Sequence, residues 1–433
     1  MRRLDAGTLT ADPDALREHN SRLTLRLIWE SRTISRADIA RRLRLSRSTV
    51  SAIVSDLLDT DLVAETGSGP AALGRPPILL EFRDEARCIV GIDLGAAHLA
   101  VVAANLRGKL RAVKRSGRDV LGDAEASAAA VLDHVAAALE AARVGRADLL
   151  GIGLSYPCPL SGPNLDQPSE TIMPAWTGID LARRLQERFQ APVFVDNDAN
   201  LGALAEKWWG AGRDVDNLTY IKVATGVGAG LIIGGDIYRG SGGTAGEIGH
   251  TAIDPRGKRC RCGRNGCLEA IIGAAPLVAY ARERLSRDGE SAMTAQGLTP
   301  AGIARAAVEG DRLAVEIIEE TAHYLGIGIA NLLNLVNPAK VIIGGDITAA
   351  GPALLGPLRR AVEEKALSKS AAEALILAGN AGEDAAALGA ATLVLKRALD
   401  DIGLWRRPQP APPPARGSTP PQRQLQGMKG GSR

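Results

Sequence analysis

The chain has 433 residues, 45% hydrophobic but only 3% aromatic, and its 52 basic and 49 acidic side chains leave a formal net charge of +3. That length predicts two or three domains, with cores built from Ala, Val, Leu and Ile rather than from rings. No uninterrupted apolar stretch reaches the ~18 residues of a membrane span, and no signal-type segment opens the chain, so the prediction is a cytoplasmic protein with no membrane partner.

The charge is unevenly spread. Between Arg32 and Arg47 stand six arginines against one acid, Asp38. Leu23, Leu25, Leu27 and Ile28 predict a first amphipathic helix here. Ser35 caps a second, with Ile39, Ala40 and Leu43 at core spacing. Ser46 caps a third, Arg47 to about Leu58, whose Val50, Ile53, Val54 and Leu57 fall at i, i+3, i+4 and i+7. The start of that helix exposes Ser46, Arg47, Ser48, Thr49 and Ser51, short donors and one arginine suited to base edges and phosphates in a major groove. Leu62–Glu65 and Ile78–Phe82 predict two strands around a loop from Gly67 to Pro77, where Arg75 gives a wing its basic tip, able to enter a minor groove. Residues 16–82 thus read as a winged helix-turn-helix with operator DNA as partner. The competing reading is a protein-binding three-helix module with a solvated arginine face; the agreement of spacing, wing and charge favours DNA. Such modules read paired half-sites, so a homodimer or dimer of dimers is expected.

From Arg87 the pattern changes. Cys88–Asp93, His98–Ala104 and Leu110–Val113 predict three antiparallel strands before an alanine-rich helix, Ala124–Ala142. A strand Leu149–Leu154, a helix capped by Asp180, a strand Val193–Val195 and a helix after Asp198 follow. Near Asn217 the sequence restarts: strands 218–224, 231–233 and 237–238, then helices and a strand 340–345. Two such halves predict a duplicated α/β fold over residues 87–400, with lobes 87–200 plus the helix 384–400, and 201–383, and a ligand cleft between them. From Arg406 the chain carries six basic residues, no acid and a proline-rich run, which predicts a disordered basic tail, 406–433.

The second half holds the most specific signal. His250, Cys260, Cys262 and Cys267 offer three thiolates and an imidazole, the donor set of a closed, tetrahedral structural zinc site, with Gly263 and Gly266 allowing tight turns between ligands. A disulfide plus a stray thiol is the alternative, but Cys260 and Cys262 are too close to bridge comfortably. Cys88 and Cys158 read as free and buried. A metal here also fixes Glu247 and Glu269, carboxylates able to accept from the hydroxyls of a small polar ligand.

With Asp196-Asn197-Asp198-Ala199-Asn200, Glu247-Ile-Gly-His250 and Gly266-Cys-Leu-Glu269, the chain resembles the ROK family of sugar kinases and sugar-responsive repressors over about residues 20–400. The resemblance implies a two-lobed, actin-like ATPase fold, duplicated and ribonuclease H-like, with a sugar or sugar phosphate as ligand. It implies sugar contacts at Asn197, Asp198, Glu247, His250 and Glu269, with Asp198 at the family's catalytic-base position. Thr225, Gly226 and Gly228 resemble the second phosphate loop, although a glycine run after a strand equally suits a tight hairpin. Gly345 resembles the adenosine-side turn. The first phosphate loop of the kinases reads Asp-x-Gly-Gly-Thr; here Asp93 and Gly95 remain, but Ala96 and Ala97 add a Cβ and remove a hydroxyl. ATP is therefore not expected as a cofactor. The resemblance implies a repressor rather than an enzyme, with a sugar kinase carrying an N-terminal extension as the alternative.

Overall fold

The computed structural model describes residues 12–68, 76–162, 165–288, 290–295, 297–367, 369 and 373–405. Local signals build its first unit. Helix α1 (Pro13–Glu30) starts at Asp12, whose carboxylate accepts from the Asp14 amide, and has proline in its first turn. Ser35 caps α2 (Arg36–Leu43) and Ser46 caps α3 (Arg47–Asp59), each hydroxyl accepting from the amide three residues on. Arg44, between them, takes a left-handed conformation (φ 55°) that turns the chain from one helix into the other. Strands β1 (Ile34–Ser35), β2 (Val63–Ser68) and β3 (Ile78–Phe82) form a sheet in the order β1-β3-β2. The two-residue β1 has no alternation to read in the sequence. Strand β2 bulges between Thr66 and Ser68, so Gly67 belongs to the strand and the predicted loop begins later. Residues 69–75, with the predicted wing tip Arg75, lie outside the described residues, as does the tail 406–433.

The duplication is visible in the strand order. Lobe I orders β10 (Val193–Asn197), β7 (Leu149–Tyr156), β4 (Cys88–Gly95), β5 (His98–Ala104) and β6 (Leu110–Gly117); a small pair, β8 (Leu160–Ser161) and β9 (Gln167–Pro168), stands apart. Lobe II orders β13 (Asp236–Ile237), β12 (Val227–Ile233), β11 (Leu218–Val223), β14 (Lys340–Gly344) and β15 (Leu375–Ala378). In each lobe the first three strands pair antiparallel and the next two add parallel to the first. Two differences from the sequence reading matter here. Strand β12 begins at Val227, four residues before its predicted start, and β15, too short and flanked by too little pattern, is not predicted.

Helices α4 (Ala124–Ala141) and α5 (Leu181–Phe189) cover lobe I, and α6 (Asp198–Trp208) runs between the lobes. Lobe II carries α7 (Glu269–Ile272), α8 (Ala274–Asp288), α9 (Pro300–Val308), α10 (Arg312–Val336) and α11 (Pro352–Lys365). The last helix, α12 (Ala385–Asp400), lies directly on β4 and β7 and packs along α6. A Cβ at Gly91 or Gly153 would overlap the carbonyl oxygens of Ala387 or Ala390, so glycine is what permits that approach. Among the described residues no helix is long and apolar enough to cross a membrane.

The first unit is not loosely tethered. Leu25, Ile28, Leu80 and Phe82 share one apolar cluster with Ile89, Val102, Leu150, Val394, Leu395 and Trp405 of lobe I. Trp29, near the end of α1, lies 5.2 Å from Trp208 and 6.4 Å from Trp209, ring centre to ring centre. Its indole donates to the Leu106 carbonyl at 3.1 Å, and Arg107 covers its face at 4.6 Å. Trp209 in turn donates to Thr392 of α12 at 2.7 Å.

Candidate functional site

Both lobes line one cavity of about 700 Å³, and it gathers Asp93, Gly95, His98, Asn197, Asp198, Lys222, Thr225, Gly226, Gly228, Glu247, His250, Arg261, Glu269 and Gly345. All the predicted ligand-binding residues of the two lobes thus reach one place. How they are held decides what each can do.

Asn197 ends β10 and caps α6, its amide oxygen accepting from the Ala199 and Asn200 amides. Its amide nitrogen donates to Cys158 O at 3.2 Å and to Asp198 Oδ1 at 3.1 Å. Asn197 is therefore first a helix cap, and it orients Asp198. The Asp198 carboxylate also accepts from the Ala199 amide at 2.8 Å and from Lys222 Nζ at 2.9 Å. Behind them Asp196 is buried and held by Asn200 at 2.9 Å and by the Arg239 guanidinium. Glu269, 5% exposed, accepts from Arg261 Nε at 2.6 Å and from the Val227 amide at 3.0 Å. Its oxygens are committed to the loop, as those of Asp198 are to Asn197, Ala199 and Lys222, which leaves Glu247 as the acceptor nearest to free. Burial, and then the charges of Asp198 and Glu269, push Glu247 up to about 7, so its carboxyl can both donate to and accept from a hydroxyl near neutral pH.

The four predicted metal ligands come together. Their ligand atoms all lie within 4.8 Å of one another. The Cys262 and Cys267 sulfurs are 3.6 Å apart, and His250 Nδ1 is 3.7 Å from Cys260 Sγ. Tetrahedral zinc with ~2.3 Å bonds to sulfur needs sulfurs about 3.8 Å apart, so the donor set fits that ion. Gly266 (φ 74°) is required at its turn, because a Cβ there would run into the Asp254 carbonyl. With Nδ1 facing the sulfurs, His250 Nε2 faces Glu247 at 3.9 Å. One imidazole can thus serve a metal and the cleft together.

The predicted phosphate-loop positions line the cavity as hairpin turns. Strand β4 runs through Gly95, and Ala96-Ala97 only turn the chain into β5. The His98 ring folds over Gly95 and lies 3.0 Å from Asp93 Oδ2, while Ser155 donates to Asp93 Oδ1 at 3.1 Å. Burial opposes a charge on Asp93, but Lys222, His98 and Ser155 outweigh it and hold the carboxyl at about 2. Burial also opposes the Lys222 ammonium, and Asp198 and Asp93 reverse that and raise its pKa. In lobe II, Gly228 pairs with Lys222 within the ladder, so the run 225–230 is the tight hairpin and not an open loop. Sequence reasoning missed His98, Lys222, Arg239 and Arg261. A signal existed for Lys222, a lone charge in an otherwise apolar strand, and for Arg261, a cation between two ligands.

On the first unit, Ser46, Arg47, Ser48 and Ser51 are exposed and Thr49 half-buried. Ser46 Oγ lies 2.8 Å from Ser48 Oγ and 2.7 Å from Thr49 Oγ1. Arg47 makes no ion pair among the described residues, whereas Arg36 and Arg41 pair with Glu65 and Asp38.

Known proteins share this organisation. The ROK family profile matches residues 89–397, and a winged helix-turn-helix DNA-binding profile matches residues 17–64. The xylose repressor of Caldicellulosiruptor bescii is 33% identical over 358 residues, 81% of this chain and 88% of its own. A solved ROK family transcriptional regulator, a homologue of the Escherichia coli MLC protein, superposes with a TM-score of 0.78 at 29% identity, covering 90% of this chain and 98% of its own. A ROK glucokinase from Streptomyces griseus, solved with glucose and AMPPNP, superposes with a TM-score of 0.61 at 29% identity, over 71% of this chain and 98% of its own.

Proposed function

The chain belongs to the ROK family, and we propose that it is a sugar-responsive transcriptional repressor: the winged helix holds operator DNA, and a sugar bound between the lobes releases it. The observation that carries this reading is α6. Its first residue, Asp198, stands in the cleft, and its last, Trp208, packs on Trp29 of the DNA-binding unit. A helix of 11 residues spans about 16 Å, so one rigid element touches both sites. Sugar contacts at Asn197, Asp198, Glu247, His250 and Glu269 close the lobe comprising 87–200 and the C-terminal helix on the lobe 201–383. That closure shifts α6 and re-spaces paired winged helices in a homodimer. A coupling of about 1–3 kcal/mol suffices to release DNA.

Zinc, held by His250, Cys260, Cys262 and Cys267, has a structural part in this reading. Four protein ligands leave no position for chemistry, and the metal's work is to fix Glu247 and the Arg261–Glu269 pair at the cleft wall. Ser46, Arg47, Ser48, Thr49, Ser51 and Arg75 are the DNA contacts, and the location is cytoplasmic. Phosphoryl transfer is not part of it. His98 and Lys222 engage Asp93 and Asp198, and proton acceptance by Asp198 would break its ion pair with Lys222.

The test is fluorescence anisotropy on operator DNA selected by the protein from random sequence, titrated with a sugar panel headed by xylose and glucose, the sugars in the relatives' names. One sugar should weaken DNA binding about 5- to 150-fold without ATP. Sugar phosphorylation at ordinary kinase rates, about 1–100 per second, would overturn the reading.

A further inference from the structure

Asp93 on β4, opposite Ala100, and Lys222 on β11, opposite Gly228, both stand near the first hairpin turn of their lobe, three and two pairs from it. Across the cleft their side chains meet. Lys222 Nζ lies 2.9 Å from Asp198 Oδ2 and 4.0 Å from Asp93 Oδ2. The Asp93 side chain is 3% exposed, and those of Asp198 and Lys222 are each 15% exposed. His98 approaches Asp93 from the turn, and Ser155 approaches it from β7. Two sequestered carboxylates converging from different elements onto one point are what a hard divalent cation with oxygen ligands binds. That point is filled by an ammonium from the same chain.

We propose that Lys222 is the residue that makes this cleft independent of divalent cations: it takes the position between Asp93 and Asp198 that a metal ion would hold, so the cleft accepts an uncharged sugar by itself and not a metal-bound nucleotide. The inference rests on the reading of the cleft as a sugar site. An ammonium offers three hydrogen bonds and a single charge, enough to keep both carboxylates ionised without drawing in a phosphate-bearing ligand. It also ties lobe I to lobe II in the absence of any ligand.

The experiment uses full-length, zinc-loaded protein with Mn2+ as the probe, followed by the loss of the free-ion EPR signal and by thermal melting. Mn2+ prefers oxygen ligands, so the thiolate site does not compete for it. Wild type should leave the free Mn2+ signal unchanged at millimolar concentration and show no shift in melting. Lys222→Ala should melt lower than wild type, take up about one Mn2+ per chain at least tenfold more tightly than wild type, and recover part of its melting temperature with Mn2+ but not with NaCl at equal ionic strength. Asp93→Asn added to Lys222→Ala should abolish that uptake. If Lys222→Ala does not fold, Lys222→Gln, which keeps a donor toward Asp198 and removes the charge, should show the same uptake. Mn2+ uptake by wild type that Asp93→Asn abolishes, or no uptake by either lysine variant, would overturn the proposal. Operator release by sugar, measured on wild type in metal-depleted buffer, separates the two readings. Its failure alongside the expected Mn2+ behaviour removes the sugar-repressor reading and leaves Lys222 in place.

Discussion

The two lobes have the same strand order, yet the turns at the head of their first hairpins are finished differently. In lobe I the turn Ala96-Ala97 is closed over by His98, and Asp93 beneath it is buried and negative. In lobe II the turn Ala224–Gly226 is covered instead by the Arg261–Glu269 pair, which comes from outside the hairpin, and the residue beneath it is the cation Lys222. The two hairpins meet across the cleft, where the base of one lobe lies 4.0 Å from the acid of the other and 2.9 Å from Asp198. The acids of the cleft thereby have a counter-ion from the same chain before any ligand enters.

The largest expected effect comes from taking away the scaffold of lobe II. Cys262→Ser should lose the bound zinc and with it the sugar response. Metal analysis and the sugar titration of operator release check this, and stoichiometric zinc with unchanged sugar affinity would show the ligand set to be wrong. Structural zinc is worth on the order of 10 kcal/mol in small peptides, so the loop around Glu247 and Glu269 should not survive its loss.

Breaking the contrast from the lobe I side should be smaller. Asp93→Ala leaves Lys222 with Asp198 as its remaining carboxylate and exposes a cavity beside His98. Lys222 keeps its 2.9 Å partner Asp198, so the loss is that of one buried hydrogen-bonding group, about 1–3 kcal/mol, and chemical denaturation should report it. A loss below about 1 kcal/mol would mean that the cross-lobe pair does little to hold the lobes.

A substitution outside the cleft sharpens the comparison by leaving both turns intact. Arg47→Ala should weaken operator binding by about 1–3 kcal/mol if the arginine reads a base, with sugar affinity unchanged. Asp198→Asn should do the reverse: operator affinity holds, and the sugar concentration needed for release rises. Anisotropy titrations of both variants decide the matter, and crossed effects would mean that the two surfaces are not separable.

The smallest effect concerns His98. Its hydrogen bond to Asp93 raises its pKa above the usual histidine value, against the opposing influence of burial. A raised folded-state pKa contributes stability that is fully present below the unfolded value, about 6.5, and is lost as pH rises through the folded value. The difference in melting temperature between wild type and His98→Ala should therefore be larger at pH 6 than at pH 9. A difference that does not change with pH would detach His98 from Asp93.

What the sequence alone determined was everything carried by short spacing. The caps at Ser35, Ser46 and Asp180 announce themselves because each satisfies amides within its own helix turn. The strands 98–104 and 78–82 stand out because a short apolar run is a local signal, and the ligand run 250–267 because four donors lie within one loop. Gly228, read within a glycine run, proved to be ladder, since glycine content does not say whether a turn is open or paired. Only the tertiary structure decided the rest. It set the ring of His98 over Gly95, Lys222 between two acids, Arg261 on Glu269 and Trp29 on Trp208. The period of a strand says which face a charged side chain points to. The partner it meets there depends on how two lobes far apart in the chain close on each other, and a buried charge acquires its role only from that partner.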